Sequence, residues 1–165
     1  MFSVGILTIS DKGSRGERVD ESGRVIREMI LPVGNPVKYD IVPDEKELIA
    51  GKLSQWADEG SVDVILTTGG TGLSRRDVTP EATLSIVDKE VPGFGEAMRV
   101  QTLSITPLAM LSRATAGLRG NCLIINLPGN PKAVRECLAA VLPAIPHAVE
   151  IITGKVTEHA PSGKK

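Results

Sequence analysis

Residues 67–80 read TTGGTGLSRRDVTP. Gly69, Gly70 and Gly72 can take backbone conformations closed to other residues, so successive amide N–H groups can turn inward on an anion, with Thr68 and Thr71 adding hydroxyl donors. This composition suits a phosphate cradle or, equally, a tight turn with no ligand. It lacks the GxxxxGK[ST] of a P-loop and the GxGxxG of a dinucleotide fold. Thr79 and Pro80 read as the N-cap and first residue of a helix. Asp77 is not needed for that cap, which leaves a carboxylate beside the glycines in want of a role.

Other polar positions have two readings. Asp44 opens DEKE, an N-cap with Glu47 three residues on, yet it could equally serve a ligand. Asn130 before Pro131 is a second N-cap candidate, with Gly129 permitting close backbone approach, and caps at ligand-facing helix ends can serve both purposes. Asp11 and Asp20 could cap or simply be solvated. Glu96 and Arg99 are spaced as a helix-surface pair.

Rival chemistries lack their residues. There is no GxSxG elbow and no HExxH, and His147 and His159 are the two histidines, which leaves a histidine triad or zinc site without components. Cys122 lies in an apolar run and Cys137 at a helical apolar position, so both read as buried thiols. Carboxylates beside a phosphate loop suit magnesium instead.

Four runs rich in Val, Ile and Leu must position these residues: VGILTI at 4–9, VKYDIV at 37–42, DVILTT at 63–68 and CLIINL at 122–127. The first, third and fourth are almost continuously apolar, as in a parallel sheet covered on both faces, whereas the second alternates and belongs nearer an edge. Helical patterns lie between them, at Val25–Ile26–Met29–Ile30, at Ile49–Leu53–Trp56 and at Val134–Leu138–Val141–Ile145. The alternation predicts a three-layer α/β/α sandwich with a mostly parallel central sheet. Ligands bind such sheets beyond the carboxyl ends of the strands. The segments following the four strands are SDKGSRG, PDE, GGTGLSRRD and PGNPK, which gathers Ser10, Asp11, Asp44, the glycine loop and Gly129–Asn130 at one end. Pro143 and Pro146 should interrupt the last helix. Residues 92–103 look helical, and 109–120 could be helix or strand.

The chain has 165 residues, 41% hydrophobic and 2% aromatic, which suits one domain (1–155) with an aliphatic core and a flexible tail at 156–165. Its formal net charge of −1 gives no electrostatic reason to expect nucleic-acid or anionic-membrane binding. No apolar run approaches the roughly 20 residues that cross a bilayer, and the N-terminus lacks a secretory pattern, so the expectation is a cytoplasmic protein.

The motifs ISD, VPDE, TTGGTG…RDVTPEAT, PGFGEAMR, LSRATAG and INLPGNPKAV occur in this order along nearly the whole chain. In this combination the sequence resembles the molybdopterin adenylyltransferases of molybdenum-cofactor biosynthesis, relatives of the gephyrin G domain. The resemblance implies magnesium-dependent transfer of AMP from ATP to the terminal phosphate of molybdopterin, with release of pyrophosphate. It implies functional carboxylates at Asp44 and Asp77, with Asp77 placed to hold the metal. It further implies substrate-binding segments at Ser10–Asp11, Thr68–Gly72, Ser112 and the turn carrying Asn126, Pro128, Gly129 and Asn130. A homotrimer and a downstream molybdenum-insertion partner are implied as well. The competing expectation is a scaffold that keeps the fold and binds molybdopterin without adenylylating it.

Overall fold

The computed structural model describes residues 1–156; 157–165, and with them all of the expected tail except Val156, lie outside the described residues. The chain runs β1 (Phe2–Ile9), α1 (Asp11–Ser14), α2 (Glu21–Ile30), β2 (Gly34–Val42), α3 (Lys46–Asp58), β3 (Val64–Thr68), α4 (Thr79–Leu84), β4 (Lys89–Glu90) and α5 (Pro92–Leu103). A 3₁₀ turn (Pro107–Leu111), β5 (Ala116–Arg119), β6 (Cys122–Leu127) and α6 (Pro131–Val141) follow, then a second 3₁₀ turn (Leu142–Ala144) and α7 (Ile145–Ile152). Pro143 and Pro146 fall at the break between α6 and α7, as a missing N–H and ring clash require.

The sheet order is β2-β1-β3-β6-β5-β4. The first four strands are parallel; beyond them β5 runs antiparallel to β6, and β4 runs antiparallel to β5 and so in the same direction as the first four. The alternating strand, β2, occupies an edge. It carries one extra residue opposite Val4/Gly5, since Val4 faces Pro36 and Gly5 faces Lys38. The three apolar strands are buried on both faces. Val4, Ile6, Val64, Leu66, Leu123 and Ile125 pack on one side against α2, α5, α6 and α7. Leu7, Ile9, Ile65, Cys122 and Ile124 pack on the other against Ile49, Leu53 and Trp56 of α3 and Ala82 of α4. Period-two alternation thus divides one aliphatic run between two cores, which makes the three layers.

The chain leaves β1 to form β2 on one side and returns to form β3 on the other. Loops after β1 and β3 therefore part across a crevice, the topological switch point of an open α/β sheet. Register brings the strand ends level: Ile9 pairs with Val42, Thr8 with Thr68, and Thr68 with Leu127. Because β5 runs backward, with Ala116 opposite Ile125, the segment entering β5 reaches this same rim.

Candidate active site

The turn after β3 is built from left-handed backbone. Gly69 has φ 100° and Gly70 φ 69°. A Cβ on Gly69 would lie 2.3 Å from the Ile9 carbonyl oxygen, so glycine is demanded there by conformation and space together. Gly69 N–H donates to Leu127 O at 3.2 Å, joining the turn to the end of β6. Thr79 does not cap α4 with its side chain. It is the first helical residue, fully buried, and its hydroxyl donates to Gly69 O at 2.9 Å while its N–H donates to Gly70 O at 3.1 Å. The two ends of the glycine loop are thereby stitched together.

Both carboxylates flank this turn. A Cβ on Gly70 would stand 3.3 Å from Asp44 Oδ1, and one on Gly72 would stand 2.8 Å from Asp77 Oδ2. The capping reading of Asp44 is corrected: Glu45 is the N-cap of α3, with no side-chain cap bond. Asp44 Oδ2 instead accepts Asp11 N–H, and Asp44 N–H donates to Asp11 Oδ1, both at 3.0 Å. Asp11 also receives a fork from Arg76, at 3.0 and 2.7 Å. That guanidinium holds the Asp11 carboxyl below its ordinary range, with burial working against it. Burial raises the Asp44 carboxyl above the usual value. The Asp11 N–H bond works the other way, and the negative charges of Asp11 and Asp77 add to the rise. Asp77 Oδ2 accepts Ser74 N–H at 3.0 Å within its own loop.

A cavity of about 780 Å³ opens at the switch point, lined by Ser10, Asp11, Asp44, Thr68, Gly69, Gly70, Gly129 and Asn130 among others. Asn130 caps α6 as expected, accepting from Lys132 N–H at 2.9 Å and Ala133 N–H at 3.2 Å. Ser10 caps α1 through Gly13 N–H at 2.9 Å. Asp20 caps α2 through Gly23 N–H at 2.9 Å and accepts from Thr8 and Tyr39 hydroxyls, each at 2.6 Å. Thr68 lines the cavity, but its hydroxyl donates to Pro128 O at 2.6 Å, so it is not the anion donor expected of it. Among the described residues lining this cavity, Thr71, Gly72 and Asp77 do not figure; Thr71 is buried within the loop.

Ser112 and Pro128 line a second cavity of about 500 Å³, with Met98, Thr102, Ile105 and Ala114, and Asn130 borders both. Asn126 is fully buried and belongs to neither wall. Its Nδ2 donates to Thr67 Oγ1 at 3.1 Å and Thr83 Oγ1 at 2.9 Å, bracing β3, β6 and α4 beneath the loop. Arg99 does not pair with Glu96; it donates to the Ser112 and Ala114 carbonyls at 3.3 and 2.8 Å. Both cysteines are buried thiols, Cys122 pushed up to about 12 and Cys137 to about 11 by burial, and neither supplies a nucleophile.

Sequence reasoning missed Lys12 and Arg18, which line the first cavity, and Arg76 and Arg113, which brace its loops. Lys12 and Arg18 lie in the polar run after β1, a signal available in advance. The arginine braces act across 65 and 41 residues and left no local pattern. The first cavity carries the carboxylates of Asp11, Asp20, Glu21 and Asp44 against the cations of Lys12 and Arg18. No cluster of three or more His, Cys, Asp or Glu residues capable of holding a metal occurs among the described residues. Magnesium takes one or two carboxylates and completes its shell with waters and substrate phosphates, and Asp44 on the cavity wall is a donor of that type.

Residues 5–147 match the family described as probable molybdopterin binding domain. The molybdopterin adenylyltransferase of Helicobacter pylori (strain J99) is 49% identical over 154 residues, covering 92% of this chain and 88% of its own. The Escherichia coli K12 protein of the same name is 38% identical, covering 96% and 89%. The crystal structure of the molybdopterin biosynthesis enzyme MoaB from Thermus thermophilus superposes with a TM-score of 0.89 at 53% identity, covering 96% of this chain and all of that one. Matched in fold, in sequence and along almost its whole length, the chain belongs to the molybdopterin adenylyltransferase family of molybdenum-cofactor biosynthesis.

Proposed function

We propose that this protein transfers AMP from ATP to the terminal phosphate of molybdopterin and releases pyrophosphate. The observation that carries the reading is the pair of carboxylates flanking one left-handed glycine turn, Asp44 beside Gly70 and Asp77 beside Gly72, at the switch point. The relatives named molybdopterin adenylyltransferase support it.

An oxygen of the molybdopterin phosphate attacks the α-phosphorus of ATP; a new P–O bond forms there, and the bond to the β-phosphate oxygen breaks. The attacking oxygen is already ionised at neutral pH, so neither a side-chain nucleophile nor a strong base is required, and catalysis reduces to alignment and charge neutralisation. The buried, unreactive cysteines are consistent with that economy. The main-chain N–H of Gly70, with Asn130 at the border of both cavities, orients the phosphates. Asp44 and Asp77 would hold Mg²⁺, which supplies positive charge against the leaving pyrophosphate when bound. Two cavities meeting at Asn130 suit a reaction that joins two substrates.

The working unit is one domain spanning 1–155, acting in the cytoplasm; no described helix is long and apolar enough to cross a membrane. Val100, Leu103, Ile105, Leu108, Met110 and Leu111 are exposed around the end of α5 and the following turn, an apolar surface that supports assembly into a homotrimer. The adenylylated product would pass to a molybdenum-insertion protein. Pyrophosphate release from ATP, Mg²⁺ and molybdopterin tests the activity. Tight molybdopterin binding without pyrophosphate would give the scaffold reading instead.

A further inference from the structure

Residues 112–114 form a strap between the two cavities. Ser112 and Ala114 line the second cavity, and Arg99 holds both their carbonyls. Arg113 turns the other way, into the glycine loop. Its backbone N–H donates to Thr71 O at 2.9 Å, its Nε to Gly72 O at 2.8 Å and its Nη2 to Asp77 O at 2.8 Å, while Nη1 pairs with the Glu81 carboxylate. One side chain thus grips the loop on both sides of residues 73–76 and ties it to α4. The Asp77 carboxylate, by contrast, is hydrogen-bonded only to Ser74 of its own loop among the described residues. Where Asp77 stands is therefore decided by what holds the main chain at Gly72 and Asp77.

We infer that Arg113 is a positioning residue for adenylyl transfer, placing the Asp77 carboxylate by clamping the main chain that carries it. The inference rests on the role proposed above for Asp77. The residue type follows from the geometry. A planar guanidinium has five N–H donors in a fixed fork and can satisfy two carbonyls and a carboxylate at once. A lysine ammonium, with its donors on one nitrogen, keeps the charge but not the reach. Since peptide units are planar, holding the carbonyls of Gly72 and Asp77 also fixes the N–H groups of Leu73 and Val78 on the opposite side.

The test is Arg113→Lys in the full chain, read by steady-state pyrophosphate release and by amide hydrogen exchange. The expected result is a kcat lower by roughly 10- to 100-fold, the scale of a misplaced catalytic group, with KM for ATP changed by less than about threefold. In an Asp77→Asn background the same substitution should cost less than about threefold more, because both changes act through one carboxylate. Exchange should accelerate across residues 71–81 and stay unchanged in β1, β3 and β6. A kcat within about twofold of wild type, or losses that multiply in the Asp77→Asn background, would overturn the inference. So would unchanged exchange across the loop. A wild-type protein that releases no pyrophosphate would instead overturn the proposed activity, while the exchange data would still report whether Arg113 holds the loop.

Discussion

Replacing Gly70 with alanine puts a methyl group where the structure has no room. At φ 69° a residue with a Cβ sits in the left-handed region, at roughly 1–2 kcal/mol. The new Cβ would also fall 2.2 Å from Thr79 Oγ1, so that hydroxyl must swing away from Gly69 O. Thr79 is fully buried, and stranding its hydroxyl costs about 1–3 kcal/mol more. The sum is about 2–5 kcal/mol, or a melting temperature lower by roughly 4–20 °C for a chain of this size. Urea unfolding of four proteins measures it: wild type, Gly70→Ala, Thr79→Ala and the double variant. With Oγ1 already absent, alanine at 70 should cost only its backbone strain, so the two losses should fall short of additivity by at least about 1 kcal/mol. The methyl also lies 3.3 Å from Asp44 Oδ1, so ATP affinity of the folded protein should fall as well. An additive cycle would refute the assigned clash, and a neutral Gly70→Ala would refute the geometry of the loop.

Asp77→Asn should lower adenylyl transfer by at least about 100-fold, the order for losing one electrostatic stabiliser, with the fold intact because an amide oxygen can still accept Ser74 N–H; near-normal turnover would remove Asp77 from the mechanism. Asp44→Asn should separate stability from activity. Burial first, then Asp11 and Asp77, raises this carboxyl, so its ionised form opposes folding and stability is gained as pH falls through its folded pKa. The asparagine variant should therefore melt higher than wild type at pH 7, lose that advantage as the pH is lowered, and transfer AMP more slowly; thermal scans over pH that show a less stable variant at pH 7 would contradict this. Asn130→Ala should lose about 1 kcal/mol of stability and Asn130→Ser very little, since serine can cap α6 equally well; equal melting of the two variants would show that the cap contributes nothing.

Legibility in the sequence followed the range of the forces involved. The runs ending at Ile9, Thr68 and Leu127 announced themselves because a strand covered on both faces must be apolar throughout, and β2 because an edge strand alternates. By contrast β4 has two residues and β5 four, too short for any period, and only pairing with each other and with β6 defines them. The glycine turn and the gathering of polar loops were visible because conformation and strand polarity are local properties. The capping reading of Asp44 failed because a partner 33 residues away, the N–H of Asp11, claims the carboxylate, and α3 starts one residue later behind Glu45, which makes no side-chain cap bond. Thr79 looked like a cap for the same local reason and was recruited by Gly69 O, ten residues back. Composition ranks such candidates; only tertiary contacts decide between them.

The backward run of β5 divides the molecule by address. With β5 reversed, the segments before β5 and after β6 reach the working rim together, while the link between these two strands is the exposed pair Gly120–Asn121 at the far rim. Gly120 adopts φ 54°, and a Cβ there would meet nothing within 4 Å. Such a tip accepts an inserted domain far more readily than a loop that carries chemistry. A partner enzyme or reporter spliced between Gly120 and Asn121 would therefore hang from the end of the sheet opposite the cavities, leaving both mouths open for substrate entry and product hand-over.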